Sequence, residues 1–166
     1  MQAPFRNTVA YRSPAIALLA AALAGSPQAM AAIPVAGATG TATAALPARV
    51  CVSPTPADLQ ALREDRQRVV IVLHAFEPPR PARGQLVASL LAGDPPTPRE
   101  LTRFAVHPLR AFTAAEPQRS QRFRVSLAGY AHLLHPGQPV CLQVAFRTGS
   151  SPLEGGRAEI SIELTD

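Results

Sequence analysis

Four histidines are the residues of this chain whose type best suits metal chemistry: His74, His107, His132 and His135. Only His132 and His135 have a spacing that could place both imidazoles on one face of a helical turn. Protein copper and zinc sites normally have three or four ligands, and no carboxylate or cysteine lies in the same short segment. We therefore predict no metal site and no cofactor, with His132 and His135 as weak candidates that His107 could join.

The chain contains two cysteines, Cys51 and Cys141. In an oxidising compartment they allow one internal disulfide bond, which would join the N-terminal part of the domain to a strand near its C-terminus. A catalytic or copper-binding thiol is the alternative, but the sequence has no Cys-x-x-Cys motif and no second sulfur ligand nearby. We predict a structural disulfide between Cys51 and Cys141.

No motif in the sequence supports catalysis by this chain alone. A serine nucleophile on a strained turn would need a Gly-x-Ser-x-Gly run, and the nearest glycine-serine run, at 149–151, is predicted to be a turn. Gly155 and Gly156 precede a predicted strand, whereas a phosphate-binding loop precedes a helix. The carboxylates are few and scattered. We predict that the protein is not an enzyme.

Composition and charge limit the other classes of function. A chain of 166 residues is sufficient for one domain of ordinary size. The net charge of +5 comes entirely from arginine and is dispersed along the chain, without the basic cluster typical of nucleic-acid binding. We therefore expect no nucleic-acid partner.

The N-terminal region has the pattern of a Sec-type signal peptide over residues 1–32. Arg6 and Arg12 precede an apolar run at 15–24 that is too short to span a membrane, and small residues near Ala31 fit a cleavage site. Residues 33–48 are uncharged and rich in Ala, Gly and Thr, which predicts a disordered leader. We expect a periplasmic or secreted protein without membrane insertion after cleavage.

Residues 49–166 show the pattern of an all-β domain. Residues 158–164 alternate strictly between apolar and polar types, and residues 122–127 alternate with arginine on the solvent side. Other strands are predicted at 69–76, 85–91, 101–107 and 140–146, and one short helix at 56–66. We expect 69–76 and 85–91 to be neighbouring antiparallel strands. This pattern predicts an antiparallel β-sandwich of about six to eight short strands. Proline and glycine clusters, including 78–81 and 93–98, predict the loops between the strands.

A turn at 129–135 is the segment most suggestive of a binding surface. Tyrosine often anchors protein interfaces, and loops carry function more often than strands do. We predict that Tyr130, His132 and His135 bind a partner. The alternative is that Tyr130 only covers the end of the sandwich.

The order of features from residue 69 to residue 164 resembles a known domain. The residues that carry the resemblance are the runs 69–73, 87–91, 123–127 and 160–164, with Phe76, Glu77, Pro78, Pro79, Arg80, Pro81, Gly84, Leu133, Leu134, Gly137, Leu142, Val144, Pro152, Leu153 and Gly155. In this order they are similar to the C-terminal β-sandwich domain attached to tyrosinases and plant-type polyphenol oxidases.

The resemblance implies a module that covers, or assists the maturation of, a copper-containing helical domain and inserts a side chain into its active-site mouth. The copper ligands of that family belong to the other domain, so the oxidase activity is not carried over. Tyr130 or Phe112 could supply the inserted side chain. We predict a non-catalytic accessory module whose protein partner is a tyrosinase-like copper oxidase. The alternatives are a small periplasmic copper- or zinc-binding protein and a cofactor-free envelope interaction domain.

Overall fold

The computed structural model of the protein describes residues 39–81, 85–147 and 152–165. The predicted signal peptide, 1–32, lies outside the described residues. Within these ranges one α-helix, α1, spans Pro56–Arg63, and 3-10 helices span Pro117–Arg119 and Ala128–Leu133. The described strands are β1 (Gly40–Thr43), β2 (Ala48–Val52), β3 (Arg68–Arg80), β4 (Gln85–Ala92), β5 (Thr97–Ala105), β6 (Gln121–Val125), β7 (Val140–Phe146) and β8 (Glu154–Thr165).

The strands form two four-stranded sheets with the orders β1-β8-β3-β6 and β2-β7-β4-β5. Every pair of neighbouring strands is antiparallel. The apolar side chains of both sheets and of α1 form one core. The all-β antiparallel sandwich predicted from the sequence is confirmed.

Strand β8 has the alternation expected of a strand with one buried face. Ala158, Ile160, Ile162 and Leu164 are at most 2% exposed, while the residues between them are half-buried. Burying one such side chain stabilises the fold by roughly 1.5–3 kcal/mol for a Leu or Ile. In β6 the arginines lie on the exposed face, as the sequence predicts.

Strands β3 and β4 are not neighbours, so the predicted pairing of 69–76 with 85–91 is wrong. They lie in different sheets: β3 pairs with β8 and β6, and β4 pairs with β7 and β5. β5 follows β4 directly in the chain, but the other neighbours of these two strands, β6, β7 and β8, are distant from them in sequence. These long-range pairings leave no periodic signal within either strand.

Two proline-rich segments predicted to be turns belong to strands. Strand β3 continues through Pro78 and Pro79 as far as Arg80, and β5 begins at Thr97 and includes Pro98. Strand β5 is at the edge of its sheet, where a residue without an N–H donor is tolerated. The predicted loop 93–98 is therefore shorter than expected.

Part of the predicted leader 33–48 is ordered, which corrects the predicted boundary of the domain. Strand β1 pairs with β8 from Gly40 opposite Ile160 to Thr43 opposite Arg157, and β2 begins at Ala48. Ala42 is fully buried. Strand β1 also packs closely at Gly40, where an added Cβ atom would lie 2.9 Å from Val50 Cγ1.

The predicted disulfide between Cys51 and Cys141 is confirmed. The two cysteines lie directly opposite each other on neighbouring strands β2 and β7, with sulfur atoms 2.10 Å apart. The bond therefore joins an edge strand to the centre of its sheet across 90 residues of sequence.

Helix α1 begins at a capping box. The Thr55 hydroxyl accepts a hydrogen bond from the Asp58 N–H at 3.2 Å, and the Asp58 carboxylate accepts one from the Thr55 N–H at 2.9 Å. The helix buries Leu59 and Leu62 against the core. In the described ranges, no helix combines the length and apolar character needed to cross a membrane.

Candidate functional site

A β-bulge in strand β3 places a histidine on the outer face of the first sheet. The register between β3 and β8 shifts between Leu73 and Ala75, which leaves His74 as the extra residue. Its Nε2 atom lies 2.7 Å from Ser161 Oγ on β8, and both side chains are half-buried. Bulges commonly redirect a side chain beside a binding or active site. His74 is therefore a candidate site residue.

Segment 111–115 runs beside this part of β3 and is held there by main-chain hydrogen bonds. The Phe76 N–H donates to the Phe112 carbonyl, and the Phe112 N–H donates to the Phe76 carbonyl, both at 2.9 Å. The two rings are 6.3 Å apart between centroids, and the Arg119 guanidinium lies 5.5 Å from the centre of the Phe112 ring. These contacts fix segment 111–115 to the sheet.

A groove of about 530 Å³ lies between segment 111–115 and the ends of β3 and β8. Its apolar walls include Phe76, Phe112 and Ala114, and its polar edge includes Glu77 and Arg157. A second concavity of about 430 Å³ shares Ala114 with the first. We call these two joined concavities the β3 groove. Concave, largely preformed surfaces with few polar groups are typical of binding sites.

The second concavity extends the β3 groove to the bulge. Its walls include His74, Thr41 and Glu159, and Glu159 also lines the first concavity. The bulge and the groove are therefore parts of one surface.

Acidic groups predominate around the β3 groove. The Glu159 carboxylate accepts a hydrogen bond from the Arg157 guanidinium at 2.7 Å. Glu77 is exposed and forms no ion pair with any residue that the structure describes. One carboxylate therefore remains to attract a cationic group.

The hydrogen bond between His74 and Ser161 resembles the nucleophile and base pair of a hydrolase. Such a pair normally has a third group that orients the base. Glu159 lies on the same strand face, but its carboxylate pairs with Arg157. Among the described side chains, Ser161 is the hydrogen-bond partner of His74. The His74–Ser161 pair therefore does not form a triad with Glu159.

The turn predicted to bind a partner follows β6 in the chain. Strand β6 is at one edge of the first sheet, and β1 is at the other edge. Tyr130 is half-buried against the core, and its hydroxyl donates to the Glu100 carbonyl on edge strand β5 at 2.7 Å. This contact ties the turn to β5. The partner-binding role of Tyr130, His132 and His135 stays a prediction.

The two histidines of this turn do not share a helical face. The 3-10 helix ends at Leu133 and Leu134 has an extended backbone, so His135 lies beyond the helix that contains His132. Both imidazoles are exposed. Their three-residue spacing could have aligned them only in a continuous helix.

The chain matches no protein-family model, no curated protein and no solved structure. Chemical inference therefore rests on the side chains themselves. In ranges 39–81, 85–147 and 152–165, no three residues of the types His, Cys, Asp and Glu converge as a metal site would require. His107 lies after β5, where its main chain bonds to the Gln121 side chain.

Sequence reasoning did not predict the β3 groove. A signal was present for His74, because it interrupts an otherwise apolar strand. Phe112 was suggested only through the resemblance, as a side chain for insertion into a copper site, and nothing in the sequence placed it beside β3. Only its pairing with Phe76, 36 residues earlier in the chain, gives it a place in the site.

Proposed function

We propose that the protein is an exported, non-catalytic β-sandwich module that binds a protein partner through the β3 groove. The observation that carries this proposal is the concavity of about 530 Å³ with an apolar floor at Phe76 and Phe112. Both rings are at most 4% exposed, so the floor is part of the folded core. A preformed groove can accept an apolar side chain with little rearrangement.

The charge around the groove suggests the chemistry of the bound segment. Glu77 is exposed at its edge, whereas Glu159 is neutralised by Arg157. A partner segment with an apolar side chain beside a lysine or arginine would satisfy both the floor and the free carboxylate. We therefore expect a segment with a basic residue flanking an apolar anchor.

The resemblance to tyrosinase C-terminal domains makes a tyrosinase-like copper oxidase the first partner to test. In that family the sandwich inserts a side chain into the copper-site mouth. Neither residue suggested for that role is free here, since Phe112 is 4% exposed and the Tyr130 hydroxyl is bound to the Glu100 carbonyl. We therefore assign docking to the β3 groove, with covering or maturation of the oxidase as its purpose.

Co-purification from the native host tests the partner, and groove variants test the surface. Ala114→Arg should obstruct the groove, and Glu77→Lys should repel a basic segment, so each should weaken binding of the captured partner at least tenfold. Glu154→Lys is the matched control, because Glu154 is exposed on β8 and does not line the groove.

Two results would separate the parts of this proposal. If the neighbouring genes encode no copper oxidase and none is captured, the choice of partner is wrong. If a partner is captured and binds both groove variants as tightly as the unmodified chain, the β3 groove is not the docking surface.

A further inference from the structure

A second cavity, of about 180 Å³, lies beside the disulfide at the other sheet. It is lined by β2, by the end of β4 and the turn that follows it, and by the loop leading into β7. Cys141 and Arg49 lie on its strand side. We call it the disulfide cavity, and it is separate from the β3 groove in lining and in sheet.

The charge of the disulfide cavity is positive. Arg49 is exposed on β2, and its guanidinium donates to Cys141 Sγ at 3.9 Å. This weak sulfur contact is its one recorded polar contact in the described ranges, and it leaves the other donors of the guanidinium free. Among the residues that the structure describes, no aspartate or glutamate lines the cavity, and Asp94, in the adjoining turn, is exposed and outside the lining.

The rest of the cavity combines apolar walls with polar groups that can donate hydrogen bonds. Leu90, Leu134 and Val140 are buried and form the apolar part. His135 and Gln138 are exposed and line the same cavity. A site with an arginine, further hydrogen-bonding side chains and an aliphatic wall favours a ligand that has an anionic end and a compact apolar body.

The volume limits the size of that ligand. A cavity of about 150 Å³ in another protein accommodates benzene. A cavity of about 180 Å³ is therefore large enough for one aromatic ring or short branched chain with a carboxylate. The planar fork of arginine matches the geometry of a carboxylate better than that of a single-point anion.

We propose that the disulfide cavity binds a small apolar monocarboxylate, with Arg49 pairing with the carboxylate and the leucine wall contacting the apolar body. His135, considered from the sequence as a weak metal candidate, acts in this site as a hydrogen-bonding group. The site is independent of the protein-binding function assigned to the β3 groove.

Calorimetric titration of the oxidised full chain with sodium benzoate tests the proposal. We expect saturable binding with one benzoate per chain. Benzyl alcohol, which keeps the ring but lacks the charge, should bind at least tenfold more weakly, because it cannot form charge-assisted hydrogen bonds with the Arg49 guanidinium. Sodium sulfate, which has charge without an apolar body, should bind to the cavity at least tenfold more weakly than benzoate does.

Two variants locate the binding. Arg49→Gln should weaken benzoate binding at least tenfold, whereas Arg124→Gln, on the exposed face of β6 in the other sheet, should leave it unchanged. Ala92→Leu, which adds three carbon atoms at the cavity wall, should block it. Thermal melting of each variant verifies that it is folded. Equal binding of benzoate to Arg49→Gln and the unmodified chain, or equal binding of benzoate and benzyl alcohol, would overturn the proposal.

Discussion

At the residue scale, the disulfide between Cys51 and Cys141 is the strongest single constraint on this chain. It closes a loop with a sequence separation of 90 residues, and both cysteines lie in the interior of paired strands. The chain-entropy model assigns roughly 4.6 kcal/mol to a loop of this length, although measured values are often smaller. The bond therefore contributes a large part of a typical domain's stability.

Removing both cysteines should reveal that contribution. We expect the Cys51→Ala, Cys141→Ala double variant to lose about 2–4 kcal/mol of unfolding free energy in urea. The unmodified protein under reducing conditions serves as the control, and its loss should be similar. If the double variant unfolds at the same urea concentration as the oxidised protein, the disulfide contributes no net stability.

Tyr130 illustrates how a residue with the type of an interface anchor can serve the fold. Its hydroxyl occupies a main-chain acceptor on β5, the edge strand of the second sheet. Tyr130→Phe keeps the ring and removes this hydrogen bond, so we expect a loss of about 0.5–1.5 kcal/mol in unfolding free energy. Urea unfolding measures it. A variant as stable as the parent would show that water replaces the hydroxyl at no cost.

At the element scale, the entry into β8 depends on two consecutive glycines. Gly155 and Gly156 have φ values of 62° and 81°, which are strained for other residues. A Cβ atom at Gly156 would also lie 2.9 Å from Pro79 Cβ and 3.2 Å from Pro79 Cα. The close approach of β8 to the proline-rich end of β3 therefore requires glycine at position 156.

A series of alanine variants separates backbone strain from steric overlap. Gly129→Ala meets no atom within 4 Å and has no positive φ, so it should change stability by less than about 0.5 kcal/mol. At Gly137 an added Cβ also meets no atom within 4 Å, but the backbone φ is 75°, so Gly137→Ala should lower the unfolding free energy by about 1 kcal/mol. Gly156→Ala combines strain and overlap and should cost about 2 kcal/mol or more. Equal melting temperatures for the last two would exclude a steric contribution from Pro79.

Edge strand β5 shows how an element can be protected from unwanted pairing. It has one strand partner, β4, and its sequence includes Pro98 and the ion pair between Arg103 and Glu100, whose atoms are 2.7 Å apart. Prolines and charges on an edge strand disfavour pairing with another chain. The contact from Tyr130 to the Glu100 carbonyl adds to this protection.

At the scale of the whole molecule, several carboxyl groups have a lowered pKa. The Thr55 hydroxyl lowers the pKa of Asp58, and hydrogen bonds from Arg103 and Arg119 lower the pKa values of Glu100 and Glu116 respectively. A lowered pKa in the folded state means that these carboxylates stabilise the fold when they are ionised. That contribution is present above the unfolded-state pKa values of about 4 and is lost as pH falls through the lower folded-state values.

The urea midpoint should therefore decrease as pH falls from 5 to 3. Because these groups are largely exposed, the decrease should be smaller in 1 M salt, where the Debye length is about 3 Å. Asp58→Asn should be less stable at pH 5 but lose less stability between pH 5 and pH 3. A midpoint at pH 3 equal to that at pH 5 would contradict the assignment of these ion pairs and hydrogen bonds.

The sequence by itself determined the central part of most strands and the side chains buried in them, but not β1, which lies in the predicted leader, nor the proline-containing ends of β3 and β5. The alternation of 158–164 and 122–127 and the capping residues before α1 are local patterns, so they required no knowledge of partners. The pairing of Cys51 with Cys141 was also predictable, because two cysteines allow a single internal bond.

Only the tertiary structure decided which strands are neighbours and where concave surfaces form. The β3 groove depends on Phe112 bonding to Phe76, and the bulge depends on His74 meeting Ser161, 87 residues away. Residues 40–43 likewise form strand β1 through pairing with β8. Contacts between residues so far apart are selected by the packing of the whole core, and no local periodicity encodes them.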